Sequence, residues 1–127
     1  MGTIMAPVSI GELADKITIL EIKSERIADA AKRDNVRVEL DGLTPLWRPL
    51  ADAHPDIAAL KVRLKAVNER MWDVQDALRA REAAQTFDET FVQLARDVSR
   101  HNGERVGLKN DINRLAGSQF VEEKQYK

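Results

Sequence analysis

Four polar residues near the end of the chain, Asn102, Arg105, Lys109 and Asn113, stand at helical spacing. At about 100° per residue, Arg105 falls in the middle of an otherwise apolar stripe, with Asn102 and Lys109 beside it. A guanidinium, an ammonium four residues on and two flanking carboxamides can hold a carboxylate or a phosphate, because the cations donate where such anions accept. The same residues also read as a structural pairing, in which Arg105 neutralises a carboxylate at the edge of another stripe, Glu21 or Glu39. A buried arginine without a partner costs several kcal/mol, so either reading requires one.

Asn68, Trp72 and Gln75 lie along one margin of a second stripe. A seam asparagine fixes register in many helical pairs, and a tryptophan there fills a core. Combined with Arg105 and Lys109, Asn68 would complete a single polar layer that could bind a ligand. Small helical mutases that enclose chorismate use arginine and lysine with an acidic or amide partner, a pattern that Lys16, Lys23, Gln75 and Arg105 could imitate. Metal chemistry finds little support: there are two histidines, no cysteines and no Glu-x-x-His pair. Nothing in the spacing sets a base beside a nucleophile. We therefore expect no catalytic residue, metal or cofactor. His54-Pro55-Asp56 matches the tripeptide of J-domain co-chaperones, but the basic face that precedes it in such domains is missing. A helix begun by proline explains it.

The elements that must position these groups are helical. Ser9 with Glu12 three residues on forms a capping box, and Val8 with Leu13 a hydrophobic staple. Ile10, Leu13, Ile17, Leu20, Ser24, Ile27 and Ala31 then step by three and four, predicting a helix from Ile10 to Ala28. The Ile- and Thr-rich run from Lys16 to Lys23 has a strand as its rival reading. Asp29 caps a second helix through Val36, Leu40 and Leu43. Pro45 predicts its end near Leu43, with a short restart carrying Trp47 and Leu50. Pro55 opens a third helix reaching about Ala84 through Ile57, Leu60, Leu64, Val67, Met71, Val74 and Leu78. After a turn at Gln85 and Thr86, Asp88 caps a fourth, with Phe91, Leu94, Val98, His101, Arg105, Leu108, Ile112 and Leu115 in one phase. That phase runs unchanged through Asn102-Gly103 and Gly107, which predicts one long helix ended by Gly117. The fold class expected is an all-α antiparallel bundle of three long helices and a shorter one. It forms a single domain over 1–127, with an N-terminal arm (1–8) and an extended C-terminal tail (118–127).

Charge narrows the partners. With 20 basic against 21 acidic residues, the chain lacks the basic surplus of a nucleic-acid binder. No run approaches the length of a membrane span, and the first seven residues do not form a signal peptide. A cytoplasmic protein without membrane insertion is expected, and the lack of cysteine is compatible with that. The first helix is apolar on a second side as well, through Ile19 and Ile22. This makes it either the centre of the monomer or, as we expect, a dimer interface.

The opening run, Val8 to Lys23 (VSIGELADKITILEIK), resembles that of an uncharacterised bacterial family built on a domain of unknown function, with the pattern SIGEL-x-DKITILEIK. Asn35-Val36 with Glu39-Leu40, Val67-Asn68-Glu69 with Trp72-Asp73, Asn102 through Asn113 with Gly117-Ser118, and the closing VEEK-x-Y (Val121 to Tyr126) agree as well. The resemblance implies a helix-rich intracellular domain found beside glycosyltransferase and tetratricopeptide modules in surface-polysaccharide clusters. It carries over no catalytic residue. It directs attention to the polar members of these blocks: Glu12, Asp15, Lys16, Asn68, Arg105, Lys109 and Asn113, with Glu122, Glu123, Lys124 and Tyr126 in the tail. The tail is either a frayed end or an arm docked by Tyr126.

The function expected is a non-catalytic helical interaction module, self-associating and linked to cell-surface glycan assembly beside a glycosyltransferase-type partner. The alternative is a protein that binds or transforms an anionic small molecule, with a site made by Arg105, Lys109, Asn102, Asn113 and Asn68.

Overall fold

The computed structural model describes residues 2–118, 122 and 123. Its elements are α1 (Ile10–Arg26), α2 (Ala30–Ala53), α3 (Pro55–Ala83) and α4 (Glu89–Ala116). There is no strand among the described residues, so the Lys16–Lys23 run is helical. Three helices start on side-chain caps: Ser9, Asp29 and Asp88 each accept the N–H three residues on, at 3.0 Å. Pro55 opens α3, where its missing N–H has no partner to lose. Gly117 closes α4 at φ +69°, a left-handed position that favours glycine.

α3 and α4 form an antiparallel hairpin, tied by Arg70–Glu104 at 3.1 Å and Arg81–Asp88 at 2.7 Å. α1 lies antiparallel along α4, with Gly11 beside Asn113 and Asp15 beside Arg105. It also touches α2 and α3, so α1, like α3, packs against all three other helices. Ala14, Ile17, Trp47, Ile57, Leu64, Val67, Leu108 and Ile112 make the core. Ile22 is only 1% exposed and Ile19 is half-buried, both within one chain. Ile22 thus belongs to the interior of the monomer, whereas Ile19 keeps part of its surface open beside the crevice described below.

The second helix does not end near Leu43. α2 runs on for 24 residues through Pro45 and Pro49, and the shorter member of the bundle is α1, with 17. The two prolines are four apart, and Asp41, Pro45 and Pro49 are all exposed. The carbonyls that lose their N–H partners, those of Asp41 and Pro45, thus lie on a watery side of the helix. The Thr44 hydroxyl donates to the Leu40 carbonyl at 2.8 Å. On the opposite side Leu43, Trp47, Leu50 and Ala51 pack into the core and hold the helical path. Tertiary burial outweighs the local preference of the prolines.

α4 passes through Asn102-Gly103 and Gly107 unbroken. A Cβ at Gly107 would meet nothing within 4 Å. Gly107→Ala is therefore expected to raise the unfolding free energy by about 0.5–1 kcal/mol, the helix-propensity difference, in urea denaturation.

α3 and α4 are each about 43 Å long, against about 26 Å for α1. The last residue of α1, Arg26, pairs with Asp73. Past that level the hairpin continues without α1 over it. Leu78, Phe91, Leu94 and Val98 are only half-buried there, and Phe87 and Val92 are exposed. Among the described residues no helix is long and apolar enough to cross a membrane.

Candidate functional site

α1 carries two seams. One is the Ile10–Leu13–Ile17–Leu20 stripe. The other is Gly11, Asp15, Thr18 and Ile22, stepping by four, three and four, and all buried. The second seam faces Asn68 on α3 and Arg105, Lys109 and Asn113 on α4, and it gathers most of the buried polar groups among the described residues, Ser9 and His101 lying outside it.

Asp15, 2% exposed, is the hub. Its Oδ1 accepts from Arg105 Nε at 2.9 Å and Asn68 Nδ2 at 2.9 Å, and its Oδ2 accepts from Arg105 Nη2 at 2.6 Å. The Arg105 contact is a two-point, side-on pair. Asn68 Nδ2 also donates to Thr18 Oγ1 at 2.8 Å, and that hydroxyl donates to the Asp15 carbonyl at 2.7 Å. Three helices are thus joined through one carboxylate.

Next to this pair lies Lys109, also 2% exposed. Its Nζ is 2.8 Å from Glu12 Oε2, 3.9 Å from Asp15 Oδ2, and in contact with Glu122 Oε1. Glu122 is held in turn by Asn110, which accepts from its N–H at 3.0 Å and donates to its carbonyl at 2.9 Å. Glu122 itself is therefore held against its own bundle. Of the other tail residues singled out by the sequence, Glu123 is exposed, and Val121, Lys124 and Tyr126 lie outside the described residues.

Gly11 lets α1 and α4 approach. Its N–H donates to Asn113 Oδ1 at 2.7 Å, and Ser118 Oγ accepts from the Ile10 N–H at 3.3 Å. Together with Ser9, these satisfy the first three N–H groups of α1, which have no partner inside the helix. The positive end of α1 also meets the negative end of α4, a favourable arrangement of dipoles.

Burial by itself would raise the Asp15 carboxyl, but hydrogen bonds from Arg105 and Asn68 and the charges of Arg105 and Lys109 outweigh it. The group is held below the ordinary carboxylate value. Burial would likewise lower the Lys109 ammonium. Hydrogen bonds to Glu12 and Glu122 and the Asp15 charge reverse that and raise it. The hydrogen bond to Asp15 is the main cause that raises Arg105. All three stay charged near neutrality, so none is poised to exchange a proton there.

The expected residues meet different fates. Asn68, Arg105, Lys109 and Asn113 converge, and Asn102 joins them by accepting from Arg105 Nη1 at 3.3 Å. Glu21 and Glu39 do not pair with Arg105. They meet Lys61 at 3.1 Å and Lys16 at 2.8 Å: Glu21 leaves α1 towards α3, and Glu39 lies on α2 and reaches α1, whereas Asp15 projects from the α1 face that α4 covers. Glu12 takes Lys109 rather than closing the capping box. Lys16, paired with Glu39 and exposed, has no place in a mutase-like site. Sequence reasoning missed Asp15 as the partner of Arg105, and Thr18 and Asn110 altogether. The four-three-four spacing of Gly11, Asp15, Thr18 and Ile22 was the available signal for the first two.

Beside Arg105 the polar cluster opens into a crevice of about 300 Å³ between α1, α3 and α4, which Trp72 and Gln75 help to line.

A model of a family of unknown function (DUF6165) matches residues 4–127, and the chain belongs to that family. No curated protein and no solved structure matches it.

Proposed function

We propose that this member of the DUF6165 family is a non-catalytic helical interaction module, self-associating, that serves bacterial cell-surface glycan assembly in the cytoplasm beside a glycosyltransferase-type partner. One observation carries the non-catalytic part. The buried set of charged groups is occupied internally, with Asp15 accepting three hydrogen bonds and Lys109 enclosed by carboxylates. A base must be within reach of a substrate proton, and a nucleophile must be activated and accessible. Asp15 and Lys109 are neither. The glycan setting rests on the resemblance of the sequence blocks alone.

Support for self-association comes from the half-buried apolar stretch of the α3–α4 hairpin beyond α1. A second copy laid along Leu78, Phe91 and Val98 would complete the bundle there. Sedimentation velocity over a range of concentrations tests this. We expect a dimer that Ala95→Glu, an exposed change in the same groove, converts to a monomer with an unchanged helical circular dichroism spectrum. A wild-type chain that stays monomeric at millimolar concentration removes self-association from the reading. Anion binding at Lys109 is disfavoured by the carboxylates already around it. Arg105 is a separate case.

A further inference from the structure

We propose that the crevice between α1, α3 and α4 binds a small molecule with a flat apolar body and a single anionic head, a carboxylate or a phosphate. This goes beyond the interaction-module reading and does not rest on it. At about 300 Å³ the crevice is at the lower end of the range of small-ligand pockets. Its walls are Ile19 and Ile22 from α1 and Met71 and Trp72 from α3. The Arg26 guanidinium lies 5.9 Å from the Trp72 ring centroid, a cation–π contact that braces the indole. Such walls suit a planar hydrocarbon or aromatic body and offer little to a polyol.

The polar lining sets the charge of the head. It contains two guanidiniums, Arg79 and Arg105, and no carboxylate. Arg105 is the decisive one. Its side edge, Nε with Nη2, is fixed on Asp15. Its end edge, Nη1 with the second proton of Nη2, has only the 3.3 Å contact to Asn102. A guanidinium already oriented by a buried carboxylate loses little freedom when an anion takes its other edge. Gln75, half-buried in the same lining, makes no hydrogen bond among the described residues, so its carboxamide is available as a donor. Asn68 uses Nδ2 for Asp15 and Thr18, while its Oδ1 accepts no hydrogen bond among the described residues. A hydroxyl or N–H on the ligand body would satisfy that oxygen. Arg79, exposed at the mouth and paired with Asp76, can swing to the same head.

The experiment is a titration followed by NMR, reading the Trp72 indole and Gln75 carboxamide signals. The probes are 2-naphthoate, 2-naphthyl phosphate and the neutral 2-naphthamide. At least one anion is expected to shift both signals saturably, with a submillimolar Kd and at least tenfold preference over the amide; which anion is tighter identifies the head. Ile19→Trp, filling the crevice without changing charge, should abolish the shifts. Gln75→Leu, which does not touch the core, should weaken binding about tenfold. Failure of both anions to saturate, equal binding of the amide, or undiminished binding by folded Ile19→Trp or Gln75→Leu would each overturn the proposal. The oligomeric state plays no part in these readouts, so this outcome is separable from that of the module reading.

Discussion

Asp15→Ala is expected to lower the unfolding free energy by about 3–5 kcal/mol, the range for removing one partner of a buried ion pair. The carboxylate is buried, and its loss strands Arg105 Nε and Nη2 and one Asn68 Nδ2 bond at once. It also leaves Lys109 with fewer counter-charges. A domain of this size has about 5–15 kcal/mol of stability in total, so the variant should show a much lower urea midpoint. The pH dependence follows from the same residue. Its folded-state carboxyl is held below the ordinary value, so its contribution is complete above the unfolded value of about 4 and is lost as pH falls through the folded one. Lys109 has the opposite sign. Its raised ammonium contributes fully below its ordinary value of about 10 and loses that contribution as pH rises through the folded one. Stability should therefore plateau between mild acid and mild base. In Asp15→Ala the acid limb should be shallower.

Gly11→Ala is the second large effect, expected at about 3 kcal/mol of destabilisation. A Cβ at this position would lie 2.3 Å from the Lys109 carbonyl oxygen and 2.9 Å from Asn113 Oδ1. The nearer atom is backbone, so it cannot rotate aside, and α1 must draw back from α4. That retreat stretches the 2.7 Å bond from the Gly11 N–H to Asn113 and opens the Glu12–Lys109 contact. Overpacking of this kind costs about 1–3 kcal/mol, and a lost buried hydrogen bond adds to it. Opposing both is the gain of about 1 kcal/mol from replacing a helical glycine. The same substitution at Gly107 has the gain without the clash, so thermal melts of the two variants should move in opposite directions.

Local chemistry made most of the fold legible. The Ser9, Asp29 and Asp88 caps, Pro55 at the start of α3 and Gly117 at the end of α4 act through atoms a few residues away, and spacing reveals them. Pro45 misled for the same reason: its local cost is real, but the burial of Trp47 and Leu50 decides the matter, and burial is a tertiary property. The polar site was legible in its members and not in its pairings. Arg105, Lys109, Asn68 and Asn113 stood out by breaking apolar stripes. Which carboxylate would meet Arg105 depended on how α1 is rotated about its axis, and the Ile-rich stripe of α1 drew attention away from the seam that holds Asp15. Lys109 looked like a ligand-binding cation because the sequence does not show Glu12 and Glu122, from opposite ends of the chain, converging on it.

The central claim is that Asp15 and Arg105 act as one buried unit joining α1 to α4. A double-mutant cycle with Asp15→Ala, Arg105→Ala and the double variant, read by urea denaturation at neutral pH, tests it most directly. We predict a coupling free energy of about 2 kcal/mol or more, with the double variant more stable than the sum of the single losses implies. Additivity within about 0.5 kcal/mol would contradict the account, because two side chains in a two-point hydrogen-bonded pair cannot be energetically independent.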